Sequence, residues 1–308
     1  MSQHEIVSRL LADITRTRTL RGTSLVITVF GDSISPHGGS IWLGSLIQAL
    51  QPLGINERLV RTSVYRLVKE GWLTVTKIGR RSYYTLTEAG KNQFEKADRR
   101  IYSAERPDWD GEWTLVYCAS VPAATRDDLR KSLHWQGFGQ LAPDLFAHPK
   151  SRDQSLDETL QEMGLVDDVI VLNAAPRHVA SSSALKQLAW TRWGLQGLER
   201  EYQHFLDLFR PVAQAVGKLD GLDAEVCFQL RTLLIHEYRR ILLHDTDLPV
   251  DLLPSGWPGI SAQHLTANLY AVIGPGAEDY LQTRMESVDG FLPKARPAYQ
   301  RRFRQDAD

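Results

Sequence analysis

The sequence lacks the features that mark several classes of protein. It has two cysteines, Cys118 and Cys227, and both lie in apolar runs. We therefore predict buried thiols in a reducing compartment rather than a disulfide framework. No run approaches the ~20 apolar residues of a membrane span, and the N-terminus has no apolar core with a cleavage site. Repeats and low-complexity segments are also missing. These absences predict a cytoplasmic protein without a membrane segment.

The sequence also lacks a complete catalytic motif. Residues 137–142 (GFGQLA) fit the dinucleotide pattern G-x-G-x-x-A, but a predicted helix precedes them and Pro143 follows. The strand–turn–helix context that this pattern requires is therefore missing. His236 and Glu237 begin like the zinc motif H-E-x-x-H, yet Arg240 stands where the second histidine should be. No P-loop, G-x-S-x-G or C-x-x-C motif is present. We predict no enzyme, no cofactor and no metal site.

Charge is distributed unevenly along the chain. The net formal charge is −1, yet residues 1–100 hold 15 Lys and Arg against 8 Asp and Glu. Residues 101–175 hold 6 against 13, and residues 176–308 hold 15 against 16. A basic segment on an acidic chain is typical of a protein that binds a polyanion. The first hundred residues are therefore where a nucleic-acid contact is expected.

Residues 41–70 predict two consecutive helices. The first, 41–50, is apolar, and the second, 56–70, has Asn56 as a good N-cap. Apolar residues share one face of the second helix on a 100° wheel. The other face carries Arg58, Thr62, Tyr65, Arg66 and Lys69, with Arg61 at its border. Such a helix could be an ordinary solvated surface, but a uniformly basic face also suits a helix in the major groove.

Two predicted strands, 72–78 and 82–86, follow the second helix. Lys77, Arg80 and Arg81 lie at or near the tip of this hairpin, with Tyr83 and Tyr84 beside them. Basic and hydroxyl groups suit contacts to phosphate and sugar. The order helix, helix, hairpin indicates a winged helix-turn-helix that binds double-stranded DNA. The predicted DNA contacts are Arg58, Arg61, Thr62, Ser63, Tyr65, Arg66, Lys69, Lys77, Arg80 and Arg81.

The remaining sequence predicts two further domains. Strand, helix, two strands, helix and strand between residues 112 and 172 predict a ferredoxin-like βαββαβ domain. From residue 184 onward the pattern is helical. The predicted fold class is therefore α+β and multidomain. The predicted domains are a winged helix-turn-helix at 20–104, a ferredoxin-like central domain at 110–175 and a helical C-terminal domain at 180–305.

Three segments resemble the PaaX family of bacterial repressors of phenylacetate catabolism. They are residues 41–90, HWQGFGQLAPDLFAHP at 134–149, and CFQLRTLLIHEYRRILLHDTDLPVDLLP at 227–254. The resemblance extends over nearly the whole chain in the same order. It implies a winged helix, a central domain similar to a small CRISPR-associated nuclease, and a helical C-terminal domain. It also implies a homodimer that leaves its operator when phenylacetyl-coenzyme A binds.

The chemistry of this effector suggests residues that could bind it. Phosphates call for arginine, and a phenylacetyl group needs an aromatic pocket. The candidate ligand-binding residues are Trp135, Phe138, Arg210, His236, Arg239 and Arg240. Each arginine could instead pair with a carboxylate, as Arg240 could with Glu237. Trp109, Trp113 and Trp193 are candidates for the dimer interface, although a core position is the favoured interpretation for each one taken singly.

Two other classes of function remain as alternatives to a repressor. One is an enzyme that acts on a coenzyme A thioester, and the other is a metal-dependent nuclease built on the central domain. The sequence shows no activated nucleophile and no carboxylate cluster with the spacing of metal ligands. Adjacent carboxylates such as Asp127 and Asp128 are better explained as residues of a helix's first turn.

Overall fold

The structure is a computed structural model. It describes residues 7, 9, 11–14, 22–102, 109–149, 153–176, 181–218 and 221–303. The chain divides into two compact units. The head unit comprises Met1–Ala104, Tyr202–Leu242 and Pro258–Asp308, and the central unit comprises Glu105–Glu201 and Leu243–Trp257. In the described ranges no helix is long and apolar enough to span a bilayer. The three-domain division stays a prediction.

The N-terminal part of the head unit combines short helices with a three-stranded sheet. Its elements are α1 (Gly22–Val29), β1 (Ser40–Trp42), α2 (Leu43–Leu50), α3 (Glu57–Lys69), β2 (Leu73–Ile78), β3 (Arg81–Leu86) and α4 (Glu88–Tyr102). β3 lies between β1 and β2 and is antiparallel to both. The predicted order of helix, helix and hairpin is confirmed. The first predicted helix begins at Leu43, because Ile41 and Trp42 pair with β3 as a strand.

α1 packs closely against α3 and then changes its helical form. A Cβ atom at Gly22 would lie 2.4 Å from Cγ of Leu59, so glycine permits this close approach. The helix continues as a π-helical turn, Phe30–Ile34, in which Asp32 and Ser33 are buried. Single π-turns are often found at functional sites. Here the turn places a carboxylate inside the head unit.

The central unit contains a four-stranded antiparallel sheet and helices. Its elements are β4 (Trp113–Tyr117), α5 (Ala123–Trp135), β5 (Gly139–Ala142), β6 (Leu145–His148), α6 (Asp153–Glu162), β7 (Ile170–Ala174) and α7 (Ser181–Arg192). The strand order is β5-β6-β4-β7. The predicted βαββαβ element order is confirmed. Buried apolar residues such as Val116, Leu133 and Phe146 form its core.

The C-terminal part of the chain supplies three long helices and a small hairpin. They are α8 (Leu195–Val216), α9 (Ala224–Leu242), α10 (Pro258–Arg284), β8 (Glu286–Ser287) and β9 (Gly290–Phe291). α10 is a single helix of 27 residues that continues through Pro275. α9 is buried along most of its length, as its apolar sequence predicts.

A network of buried charges joins α1 to the C-terminal helices within the head unit. The Asp32 carboxylate accepts hydrogen bonds from the hydroxyls of Tyr102 (2.7 Å) and Tyr270 (2.9 Å). Arg302 Nη1 lies 3.2 Å from Asp32 Oδ1. Arg231 Nε lies 3.0 Å from Asp32 Oδ2, but its N–H is not aligned with that oxygen, so this contact is an ion pair rather than a hydrogen bond. Both arginines are buried.

A histidine and a glutamate extend this network. His37 Nδ1 lies 2.5 Å from the carbonyl oxygen of Ser33, and Nε2 lies 2.8 Å from Glu278 Oε2. His37 therefore bridges the Ser33 carbonyl and the Glu278 carboxylate. Arg231 Nη1 also donates to Glu278, at 2.8 Å. Burial raises the pKa of Glu278, but the hydrogen bond from His37 and the charge of Arg231 outweigh burial and lower it from 4.5 to about 2.

This pKa predicts how stability depends on acid. A carboxyl group with a depressed folded-state pKa contributes stability above its unfolded pKa, and the contribution is lost as the pH falls through the folded pKa. We expect the stability advantage of wild type over Glu278→Gln to shrink by about 1–2 kcal/mol between pH 6 and pH 3, allowing for partial solvent screening. Urea unfolding at both pH values measures it. An advantage of equal size at both values would contradict this assignment.

Candidate nucleic-acid interface

Helix α3 has an ordered start and one buried face. The Asn56 side chain accepts a hydrogen bond from the backbone N–H of Leu59 at 2.9 Å, so the predicted N-cap is confirmed. Val60, Val64 and Leu67 are buried and fix the orientation of the helix about its axis. The opposite face is consequently turned to solvent.

Most of the predicted contact residues of α3 lie on that exposed face. Tyr65 is 70% exposed although its ring is largely apolar. An aromatic hydroxyl presented among basic side chains is suited to phosphate or base-edge contacts. The exposed members of the predicted set are Arg58, Arg61, Thr62, Tyr65, Arg66 and Lys69.

Ser63 does not belong to this surface. It is 1% exposed, and its hydroxyl donates to the carbonyl of Leu59 at 2.7 Å and accepts from Thr23 at 3.3 Å. Its position on the helix brings it to the side that packs on α1. The prediction of a DNA contact by Ser63 is therefore wrong for this conformation.

Two arginines of the exposed face are paired with carboxylates on the same helix. Arg61 Nη2 lies 2.7 Å from Glu57 Oε1, and Arg66 Nε lies 2.7 Å from Glu70 Oε1. The hydrogen bond to Glu70 raises the pKa of Arg66. Exposed pairs of this kind contribute little stability, so a phosphate could replace either carboxylate. The i,i+4 spacing could have revealed both pairs from the sequence.

The β2–β3 hairpin presents basic side chains at its tip. Gly79 has φ = +58°, a left-handed conformation that glycine adopts without strain, and Lys77 and Arg80 are exposed. Tyr84 on β3 is half-buried and near Arg61. Burial raises the Tyr84 pKa, and the charge of Arg61 opposes that shift. Tyr83, expected among the exposed tip residues, is instead buried.

Arg81 is directed to a contact that the sequence did not reveal. Its Nη1 lies 2.5 Å from Glu286 Oε2 on β8, and its guanidinium carbon lies 4.2 Å from the centre of the Trp42 ring. Because strand residues alternate between faces, Arg81 lies on the same face of β3 as Tyr83 and on the opposite face from Tyr84. The structure therefore holds Arg81 away from the Arg61 side of the hairpin.

The predicted effector-binding residues fall in both units. Trp135 is 87% exposed and Phe138 is buried, and both belong to the central unit. Arg210, His236, Arg239 and Arg240 belong to the head unit. The predicted effector site, which draws on both groups, stays a prediction.

The candidate effector-binding residues of the head unit differ in burial and in their partners. His236 is buried, and its Nδ1 lies 3.0 Å from Thr28 Oγ1 on α1, so it is part of a helix–helix contact. Arg240 Nε lies 3.3 Å from Glu237 Oε2, which confirms the pairing expected from the sequence. Burial lowers the pKa of Arg239. Arg210 is exposed on α8, which continues through the following Pro211.

The residues that resemble catalytic motifs have structural explanations. A Cβ atom at Gly139 would lie 2.5 Å from the ring of Trp193, whose Nε1 donates to the carbonyl of Gly137 at 2.9 Å. Packing therefore accounts for Gly139, whereas Gly137 has φ = +91°, a left-handed conformation that glycine adopts without strain. Cys118 and Cys227 are both buried as predicted, and burial raises their pKa values, that of Cys118 to about 11. Within the described ranges no group of three His, Cys, Asp or Glu could hold a metal ion.

The exposed basic face of α3 and the basic hairpin define a candidate DNA-binding protein. Three family descriptions match in succession: "PaaX-like protein" over residues 21–90, "PaaX protein central Cas2-like domain" over 106–186 and "PaaX-like protein C-terminal domain" over 193–283. The chain belongs to the PaaX-like family.

Two individual proteins are similar to the chain. It is 41% identical over 283 residues to "Transcriptional repressor PaaX" of Escherichia coli (strain K12), covering 92% of this chain and 90% of that protein. Among solved structures, an uncharacterized protein from Mycobacterium tuberculosis is 24% identical, with a TM-score of 0.49, covering 76% of this chain and 88% of the other.

Proposed function

We propose that the protein is a DNA-binding transcriptional repressor whose N-terminal part is a winged helix-turn-helix. The observation that carries this proposal is the exposed face of α3, with four basic side chains and Tyr65, which is followed along the chain by a hairpin with a basic tip. In a winged helix the second helix of the helix-turn-helix, here α3, reads base edges in the major groove. The hairpin contacts the DNA backbone. The similarity to a protein named as a transcriptional repressor supports the regulatory role over an enzymatic one.

We further propose that phenylacetyl-coenzyme A is the effector that releases the repressor from DNA. The support is the sequence resemblance to a family of phenylacetate-catabolism repressors and the name of the Escherichia coli relative. We also propose that the central unit is a ferredoxin-like domain and that the protein is cytoplasmic. An effector can act only if it binds the DNA-free and DNA-bound conformations with different affinity.

A homodimer completes the proposal, and strand β7 is its interface. β7 lies at the end of the central sheet, beside β4. Ile170, Val171 and Leu172 are 55%, 41% and 51% exposed, so both faces of this edge strand are apolar and open to solvent. Proteins normally cover or charge such an edge. Pairing of two β7 strands about a two-fold axis would cover it, and two-fold dimers are the commonest oligomers.

The tryptophans expected at the dimer interface pack against one another in the central unit. The rings of Trp109 and Trp113 are 5.6 Å apart, and those of Trp113 and Trp193 are 6.0 Å apart. Trp113 is buried. This cluster contributes to the folding of the unit, and β7 is the better interface candidate.

Alanine substitutions on α3 test the DNA-binding role. We expect Arg61→Ala and Arg66→Ala to weaken binding to the protein's own upstream region. Loss of a base contact should reduce discrimination at one position by ~1–3 kcal/mol, and loss of a phosphate contact should make the salt slope shallower by about one unit. Fluorescence anisotropy at several salt concentrations measures both effects.

The matched control for these variants is Arg192→Ala. Arg192 is an exposed arginine on α7 of the central unit, so its substitution removes the same charge elsewhere. It should leave affinity and slope close to wild type. Unchanged affinity in both α3 variants would show that this helix is not the reader.

A further inference from the structure

The chain that follows α10 folds back onto the N-terminal part of the head unit. We call residues 285–303 the C-terminal strap. Its backbone donates from Glu286 to Ser45 Oγ (3.0 Å), from Arg296 to the carbonyl of Pro36 (3.0 Å) and from Phe303 to the carbonyl of Tyr102 (2.9 Å). The strap lies beyond residue 283, where the last family match ends. It is nevertheless part of the surface that carries the hairpin.

The strap brings a carboxylate to the tip of the β2–β3 hairpin. Glu286 Oε2 lies 2.5 Å from Arg81 Nη1, and the two side chains are 33% and 48% exposed. Arg81 is the first residue of β3 and follows the exposed Arg80 at the hairpin tip. Arg80 is therefore open to solvent, whereas the neighbouring Arg81 is paired with an acidic side chain of the strap.

The pair is placed so that it can be exchanged. Both partners are in contact with solvent, and an exposed ion pair contributes little to stability. A phosphate approaching the hairpin tip offers Arg81 an equivalent charged acceptor. Once Arg81 turned to that phosphate, the Glu286 carboxylate would remain close to the DNA backbone and would repel it.

We propose that Glu286 is an affinity-setting residue of the DNA-binding surface, which holds Arg81 in the free protein and competes with a DNA phosphate for it. This inference rests on the proposed DNA-binding function and assigns to the C-terminal strap a direct part in it. Glu286 lowers binding to any duplex, irrespective of sequence, because its competitor is a phosphate. The reduction applies equally to the operator and to other sequences, so Glu286 sets the overall affinity for DNA and leaves the specificity ratio unchanged.

The test is the salt dependence of binding to a random-sequence duplex of about 25 base pairs. Glu286→Gln keeps the shape of the side chain and removes its charge. We expect it to bind about 3- to 10-fold more tightly at ~0.15 M salt, with a slope steeper by up to one unit, because Arg81 is released to a phosphate. Arg81→Ala should weaken binding. The double variant, Glu286→Gln with Arg81→Ala, should show less than half of the affinity increase that Glu286→Gln gives alone.

Asp289→Asn is the matched control. Asp289 lies in the turn between β8 and β9, close to Glu286 in the chain. Its substitution therefore removes one negative charge from nearly the same place. Asp289→Asn should raise the affinity for DNA by less than a third of the increase that Glu286→Gln gives. An equal gain would show that bulk charge rather than competition for Arg81 sets the affinity, and an unchanged Glu286→Gln protein would also overturn the inference. Thermal unfolding of every variant confirms that the comparison is between folded proteins.

Lys77→Ala and Arg80→Ala separate this inference from the proposed function. If neither variant makes the salt slope shallower, the hairpin does not contact DNA and the proposed function fails at this element. If they do so while Glu286→Gln behaves as wild type, DNA binding stands and the role of Glu286 fails.

Discussion

Replacing Asp32 by alanine is expected to lower the free energy of unfolding of the head unit by about 3–5 kcal/mol. The carboxylate is 2% exposed and lies between the buried guanidinium groups of Arg231 and Arg302. Removal of one partner from a buried ion pair leaves uncompensated charge in the interior, which is strongly destabilising. Two tyrosine hydroxyls would also lose their acceptor. Urea unfolding followed by circular dichroism measures the change.

Asp98→Ala is the control for this prediction. Asp98 is another carboxylate that contacts Arg302, but its side chain is 39% exposed. Burial raises the pKa of Asp98, and the charge of Arg302 opposes that shift. Because water reaches this pair, its loss should cost about 1 kcal/mol or less. Equal effects of the two substitutions would show that Asp32 does not anchor the network.

Two substitutions on β7 are expected to dissociate the proposed dimer. Val171→Lys and Leu172→Lys together place a charge on each face of the edge strand, and charge on an edge opposes pairing. Burying two such side chains contributes ~3–6 kcal/mol, so the dissociation constant should rise at least about 100-fold. Both positions are exposed in the single chain, so the variant should still fold. Sedimentation equilibrium measures the assembly state.

Thr191→Lys is the matched control for the β7 variant. Thr191 is exposed on α7 of the same unit, and lysine there should leave the dimer intact. A wild-type protein that is monomeric at micromolar concentration with full operator affinity would contradict the dimer. A β7 variant as dimeric as wild type would place the interface elsewhere.

Local pattern was sufficient to predict the elements on which the site is built. The helical periodicity of residues 56–70, the Asn56 cap and the hairpin that follows are properties of short stretches of chain, and the structure confirms each of them. The element order of the central unit could also be predicted from the sequence, because strands and helices there are bounded by turn residues. The side chains of Val60 and Val64 fixed which face of α3 is buried.

Contacts between distant parts of the chain could not be predicted in the same way. Arg81 pairs with a residue 205 positions away, and Arg302 lies against Asp32 across 270 positions. Neither partner is signalled by local spacing. Ser63 is buried because it packs on Thr23 of α1, a contact that the local sequence does not signal. The strand β1 was missed because three residues are too few to show a period.

The central claim is tested most directly by a gel shift with DNA from the protein's own upstream region. Purified full-length protein is mixed with this duplex and an excess of unrelated competitor, and then with phenylacetyl-coenzyme A or free phenylacetate. We predict a retarded complex that survives competitor and phenylacetate and is lost with the thioester. A protein that retards this duplex no better than an unrelated duplex of equal length and composition would contradict the repressor assignment. A specific complex that the thioester leaves intact would contradict the proposed effector.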